Sequence, residues 1–180
     1  MTRVRRFVLR LVCPAVLAGM ASQALAASSE MAVKAAFLPR FARYVTWPSG
    51  VQASSSAALV LCTVGRDPFG GLLEQSASGQ EVDGRRIIVR RLSSATGVRG
   101  CHVAFVGGSP DQPAGQLLAA IGRLPILTVT DSTNASQRGI VHFAIVSGRV
   151  RFFIDEAAAA ERRLTISSRL LGLAVAVRTR

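Results

Sequence analysis

From Ser28 to Tyr44 the apolar residues Met31, Ala35, Leu38 and Ala42, with Val45 just beyond, recur at the spacing of one helix face, and Ser28 or Ser29 can cap the start. The pattern predicts an amphipathic first helix. Pro39 lies inside it, where a missing backbone donor and a ring clash should kink or split the helix, and Thr46-Trp47-Pro48 is its stop. A Ser-, Gly- and Ala-rich link over 49–56 leads to 57–64, an unbroken apolar run of the kind found in strands covered on both faces. Asp67 and Pro68 suit a helix cap and first turn, which predicts a helix over Phe69, Leu72 and Leu73. After the turn residues Val82-Asp83-Gly84, strands are expected at 86–92 and 101–106. Gly107-Gly108-Ser109-Pro110 breaks the pattern; a helix over 111–121, with Leu117, Leu118 and Ile121 inward, and a strand over 126–130 follow.

Two further strands, 139–146 and 149–154, flank Ser147-Gly148, a pair suited to a tight hairpin. Val141, Phe143 and Ile145 alternate with His142 and Ala144, and Val150, Phe152 and Ile154 with Arg151 and Phe153, so one face is buried more fully than the other. Asp155 opens a helix through Arg162, and a last apolar segment runs over 170–177. Neither an internal repeat nor a low-complexity stretch intervenes. Strands alternating with helices and followed by a hairpin predict an α/β fold: a three-layer α/β/α sandwich with a mostly parallel central sheet and a C-terminal antiparallel hairpin.

The first residues place this domain outside the cytoplasm. Arg3, Arg5 and Arg6 precede a mostly apolar run from Phe7 to Ala21, and Ala24-Leu25-Ala26 is an A-x-A cleavage site, the build of a signal peptide over 1–26. A membrane anchor is the competing reading, but a span needs roughly 20 apolar residues, and Arg10 and Pro14 interrupt this shorter run. Cys13 lacks the small preceding residue that lipidation requires. The remaining 27–180 is the length of one domain able to bury a core without a disulfide scaffold. The leader holds four of the 22 basic residues and no acid, so 18 basic against 10 acidic remain, a net charge of +8. Export removes nucleic acid as a partner, and the basic residues form no dense run. Arginine in place of lysine throughout, with Lys34 the one exception, is the usage of a GC-rich genome; attraction to anionic headgroups or acidic proteins is the alternative.

Candidate chemistry is sparse. His102 and His142 sit in expected strands with no carboxylate or second histidine at ligand spacing, which favours structural histidines over a catalytic or metal role. No nucleophile elbow, zinc motif, C-x-x-C or phosphate loop occurs, and Asp155-Glu156 reads as first-turn helix chemistry. An enzyme is therefore not expected, nor a cofactor or metal. Two loops are candidates for a ligand cleft. The loop Gly65 to Gly71, with Asp67, joins a strand end to a helix start, where N–H groups can hold an anion, although capping and tight packing are the favoured explanation. Asp131-Ser132-Thr133-Asn134 occupies the corresponding end of another strand. Cys62 and Cys101 fall on strands that could be neighbours, so a bridge closing about 39 residues is admissible in an oxidising compartment, with two buried thiols as the other reading.

Several strings, taken in order, resemble the YfiR family of periplasmic regulators: Lys34-Ala35-Ala36-Phe37-Leu38, Phe41-Ala42-Arg43-Tyr44-Val45-Thr46-Trp47-Pro48 and Asp67-Pro68-Phe69-Gly70. Gly100-Cys101-His102-Val103, Leu127-Thr128-Val129-Thr130-Asp131, Arg149-Val150-Arg151-Phe152 and Ile166-Ser167-Ser168-Arg169-Leu170-Leu171 continue the series across nearly the whole expected mature chain. The resemblance implies a periplasmic repressor that holds the sensing domain of an inner-membrane diguanylate cyclase, lowering cyclic di-GMP and restraining biofilm formation. It also implies capture by an outer-membrane lipoprotein and a disulfide between Cys62 and Cys101. The second family disulfide has no counterpart, since 137–152 contains no cysteine, and redox control through it is not expected here.

For the partner surface the expectation is the first helix and the terminal segment, with Arg43, Trp47, Arg169 and Leu170 as contacts, because Trp and Arg are enriched at binding hot spots. A homodimer, or a related sensor protein in place of the cyclase, is also compatible with such a surface. The alternative function is a periplasmic small-ligand sensor or carrier using the cleft near Asp67 and Asp131; an envelope hydrolase would need residues that the chain does not offer.

Overall fold

The strands with the most continuous apolar sequence occupy the middle of the sheet, where both faces are covered. The computed structural model describes residues 29–51, 58–133 and 137–179. The expected leader over 1–26, the Ser28 cap and most of the link over 49–56 lie outside them. The chain runs through α1 (29–41), β1 (Val45–Thr46), β2 (Leu59–Gly65), α2 (Leu72–Ala77), β3 (Glu81–Val82), β4 (Arg85–Leu92), β5 (Val103–Gly107) and α3 (Ala114–Ile121). It continues as β6 (Leu127–Asp131), β7 (Val141–Val146), β8 (Arg149–Asp155), α4 (Glu156–Glu161), β9 (Thr165–Ile166), α5 (Ser168–Leu171) and β10 (Val177–Arg178). Eight strands form one sheet in the order β10-β8-β7-β6-β5-β2-β4-β3, while β1 and β9 pair separately. Within the large sheet β3/β4 and β7/β8 are antiparallel and the other neighbouring pairs parallel.

Strand alternation divides the core in two. Leu61, Phe105, Val129, Phe143 and Phe152 face α1, α2, α4 and α5; Cys62, Val64, Ala104 and Val106 face α3 on the opposite side. The α/β/α sandwich with a parallel centre and a late hairpin is thus present, with one helix layer much the heavier. Phe37 and Phe41 of α1 stack at 5.8 Å, and Phe41 meets Phe152 edge-on at 5.2 Å, so aromatic contact fixes the helix over β7 and β8.

Boundaries differ from the sequence pattern where local chemistry competes. The first helix runs unbroken through Pro39 to residue 41 and then tightens into a 3-10 turn over Ala42–Tyr44; Pro39 is itself buried, and its packing offsets the lost backbone bond. The second helix starts at Leu72, not beside Asp67, because Asp67 Oδ1 accepts from Phe69 N–H (2.9 Å) and closes a turn ahead of it. Similarly, Ser109 Oγ accepts from Gln112 N–H (3.1 Å), so α3 begins at Ala114 in place of residue 111. Asp155 does cap α4, accepting from Ala158 N–H at 2.9 Å. At the hairpin tip Ser147 and Gly148 both have positive φ (51° and 71°), the left-handed pair that matches strand twist. The last apolar segment splits into α5 and the edge strand β10, leaving Leu173 and Val175 exposed between them.

Cys62 and Cys101 form a disulfide with a Cα–Cα distance of 5.9 Å. The neighbouring register of β2 and β5 makes this reachable, since Leu61 lies opposite Val103. Arg90 braces the intervening loop, donating to the carbonyls of Gly97 (2.9 Å) and Arg99 (3.2 Å). A bridge spanning 39 residues should stabilise the fold by roughly 4 kcal/mol in the chain-entropy model. Reduction, or Cys62→Ser, is accordingly expected to lower the melting temperature by about 10 °C; equal melting of the wild type with and without reductant would contradict this.

Candidate functional site

The stripe that seats α1 on the sheet includes one charged side chain. Lys34 is fully buried, and its Nζ is paired with Oδ2 of Asp131, equally buried at the carboxyl end of β6, and with Oε1 of Glu30 one helical turn earlier. The second Asp131 oxygen accepts from Thr133 N–H at 3.1 Å, so the carboxylate is saturated by a helix on one side and its own loop on the other. Burying these charges is tolerable only because each has a partner. Asp131 therefore anchors α1. None of four surface cavities is lined by it or by Asp67.

Downstream of α1 the chain enters β1, which pairs antiparallel with β9 through Val45↔Ile166 and Thr46↔Thr165. Ser167 N–H donates to Tyr44 O at 2.8 Å and extends the pairing by one residue. Arg43 and Arg169 flank that closing bond, so two segments far apart in sequence, the first helix and the terminal segment, meet at one end of a two-stranded ribbon. Arg43, Thr46, Thr165 and Arg169 are exposed there. Arg43 also donates to Gln80 Oε1 at 2.6 Å. Trp47 and Leu170 are elsewhere: at 4% and 2% exposure both belong to the core, and Trp47 lies edge-on to His102 with centroids 5.7 Å apart. Their large apolar surfaces are consumed by packing.

Asp67 sits at the other candidate loop, next to the point where the strand order reverses between β2 and β5, the usual ligand crevice of an open α/β sheet. Here the backbones close on each other. Arg66 N–H donates to Gly107 O at 2.8 Å, and a Cβ on Gly65 or Gly107 would lie 2.4 Å from Gly107 O or 1.9 Å from Arg66 O. The glycines therefore serve close approach of two strand ends. Arg91 ties the loop down, bonding Asp67 Oδ2 (2.6 Å), Glu74 Oε2 (2.9 Å) and Gly70 O (2.7 Å), and the arginine holds Glu74 below its ordinary pKa. Asp67 and Asp131 are both at the carboxyl end of the sheet, separated by β5, and each is engaged by its own cation.

Both histidines are buried within the sheet region. His102 Nδ1 faces Val60 N–H at 3.1 Å and Nε2 faces Arg85 Nη2 at 2.9 Å; burial first and the Arg85 charge second push its pKa down to about 4. His142 Nδ1 lies 2.8 Å from Thr130 Oγ1, which itself accepts from Gly139 N–H at 2.8 Å. Burial, and then Arg138, lower the His142 pKa. Among the described residues no group of three His, Cys, Asp or Glu side chains is placed to hold a metal ion, and no helix is long and apolar enough to cross a membrane.

An α/β sandwich carrying an inward-facing lysine under its first helix and an exposed arginine ribbon is the class of protein so defined. Its sequence matches a family model described as YfiR/HmsC-like over residues 31–175, and the chain belongs to that family. A search of curated proteins gave no match. A crystal structure of a conserved domain protein from Vibrio cholerae is similar at 13% identity and a TM-score of 0.46, over 66% of this chain and 54% of that one; the chain thus spans about half of that protein, and a likeness at this level carries no functional information.

Sequence reading missed the role of Lys34, although the signal was present: the chain's one lysine stands on the apolar stripe, three residues after Met31 and four before Leu38. Lys34→Met is expected to destabilise the domain by about 3–5 kcal/mol, because it leaves a buried carboxylate unpaired. Adding Asp131→Asn, which keeps an acceptor for Thr133, should restore most of the loss, and denaturant unfolding of the two variants measures both effects. His102 gives a pH signature. Its folded pKa is depressed, so above pH 6.5 both states are neutral and stability is full; as pH falls from 6.5 to about 4 the unfolded chain takes up the proton first and stability declines. The expected loss attributable to this ring is on the order of 2–3 kcal/mol, seen by urea unfolding at pH 7 against pH 4.5 and reduced in a His102→Gln variant.

Proposed function

We propose that this protein is a periplasmic repressor that binds the sensing domain of an inner-membrane diguanylate cyclase, lowering cyclic di-GMP and biofilm formation. Membership of the YfiR/HmsC-like family over almost all of the described chain is the observation that carries the reading. The Cys62–Cys101 disulfide agrees with an oxidising compartment, and the ribbon bearing Arg43 and Arg169 supplies a surface of suitable chemistry.

A domain that acts on a membrane partner by binding alone must favour one of the partner's conformations over another. Two exposed arginines at one end of a short ribbon suit that task, since arginine pairs with carboxylates through two parallel donors and loses little freedom in doing so. The backbone beneath them is rigid: β1 follows the helix pinned by Lys34, and β9 follows α4, whose Ala159 is in the core. Binding energy at Arg43 and Arg169 is therefore available for selecting the inactive cyclase.

Deleting the gene should raise cellular cyclic di-GMP in a strain that makes the cyclase, and wild-type protein should return it to the starting level. Arg43→Glu with Arg169→Glu should accumulate and melt like wild type yet fail to repress, with binding weakened on the order of tenfold or more. An unchanged cyclic di-GMP level on deletion contradicts the reading.

A further inference from the structure

On the α3 side of the sheet, α3 packs over β2 and β5 and leaves β7, β8 and β10 outside its cluster. A cavity of about 560 Å³ opens there, its floor formed by His142, Phe153 and Asp155 and its rim by Arg138 and Arg178. That volume is in the range of small-molecule sites. Four features make it more than a gap. His142 is only 5% exposed, yet it lines the cavity. Thr130 Oγ1, which accepts from Gly139 N–H, lies 2.8 Å from His142 Nδ1; in the tautomer in which the hydroxyl donates to Nδ1, the other ring nitrogen, Nε2, is an N–H donor with no partner among the described residues. Arg138 lies over the Phe153 ring, its Cζ 5.0 Å from the centroid, with no hydrogen-bond partner for its guanidinium among the described residues. Arg178 is paired with Asp155 at the opposite rim.

With His142 neutral, the two arginines and Asp155 leave one net positive charge and a surplus of donors. We propose that this cavity is a binding site for a small planar monocarboxylate, held by Arg138, Arg178 and the His142 Nε2–H, with its flat body against Phe153. A dianion would exceed the available charge, and an apolar ligand would leave the donors without partners. The site lies on the sheet face away from α1, beside the start of α4, so it is distinct from the Arg43–Arg169 surface and does not depend on the cyclase reading.

The ring is also a reporter. Facing or near it are Arg138 before β7, Arg178 on β10, Asp155 on β8, Asp131 on β6 and Lys34 on α1. An anion contacting Nε2–H favours the imidazolium, so by linkage the His142 pKa should rise on binding, and affinity should grow as pH falls toward it.

The test is a titration of the folded domain with sodium benzoate, followed by the histidine side-chain nitrogen resonances, with inorganic phosphate and sodium chloride as separate arms. Benzoate is expected to shift the His142 Nε2 signal saturably and raise the ring's pKa, while His102 stays unmoved and chloride has no such effect. Arg138→Ala and Arg178→Ala change exposed side chains, so they should keep the wild-type melting temperature while weakening benzoate about tenfold each. No saturable shift at tens of millimolar benzoate (roughly the weakest specific affinity of a small ligand), binding unchanged in both variants, or saturation by phosphate and not benzoate would overturn the assignment.

Discussion

The fold turns on one buried ion pair, Lys34 with Asp131, which ties the first helix to the carboxyl end of a central strand. Apolar packing alone would hold α1 over the sheet, since Leu38, Phe41 and Phe143 are fully enclosed. Packing is tolerant of small slides, however, whereas an unpaired charge at zero exposure is not. The pair therefore fixes the rotation and the axial position of α1. Everything that follows in the chain inherits that setting: the 3-10 turn, β1, and through its pairing with β9 the short helix α5. Such pairs add little net stability over an apolar substitute; what this one supplies is a single registration of helix on sheet.

That registration links fold to function. Arg43 lies in the 3-10 turn just before β1, and Arg169 in α5 just after β9, so the pairing of β1 with β9 brings the two backbone segments to the same end of the ribbon. Neither residue is informative alone, because exposed arginines are frequent in this chain. Their meeting depends on a ribbon only two residues long on each side. A basic edge on a member of this family is what the proposed repressor, acting by differential affinity, would use. The histidines, by contrast, are held neutral by burial and neighbouring cations, and His142 lines a cavity on the other side of the sheet.

Much of this was legible in the residues. Continuous apolar runs marked β2, β5 and β6, alternation marked β7 and β8, and Ser147-Gly148 marked their turn, because burial and strand twist leave little choice at those positions. The α/β/α class and the reach of Cys62 to Cys101 followed from the order of elements. Helix starts were less legible: Asp67 and Ser109 bond to backbone two or three residues ahead and make turns of their own, a competition that composition does not resolve. Pro39 misled because tertiary packing outweighed its local cost. Strands of two residues, β1, β3, β9 and β10, carry no periodicity to read. For the site, Arg43 and Arg169 were selected together with Trp47 and Leu170, but exposure of a tryptophan or leucine is a property of the assembled core and not of its neighbours in sequence. The cavity beside His142 joins three strands and a loop, so no local string announced it.

The central claim is that this domain works by gripping a membrane partner. It is tested most directly by immobilising residues 27–180 in oxidised form, passing solubilised inner-membrane proteins over them, and identifying by mass spectrometry what is retained at physiological salt. The account expects a diguanylate cyclase with a periplasmic sensing domain, retained by wild type and lost from a column bearing the Arg43 and Arg169 substitutions. Retention of transporter components with no cyclase, or of the same proteins regardless of those two arginines, would contradict it.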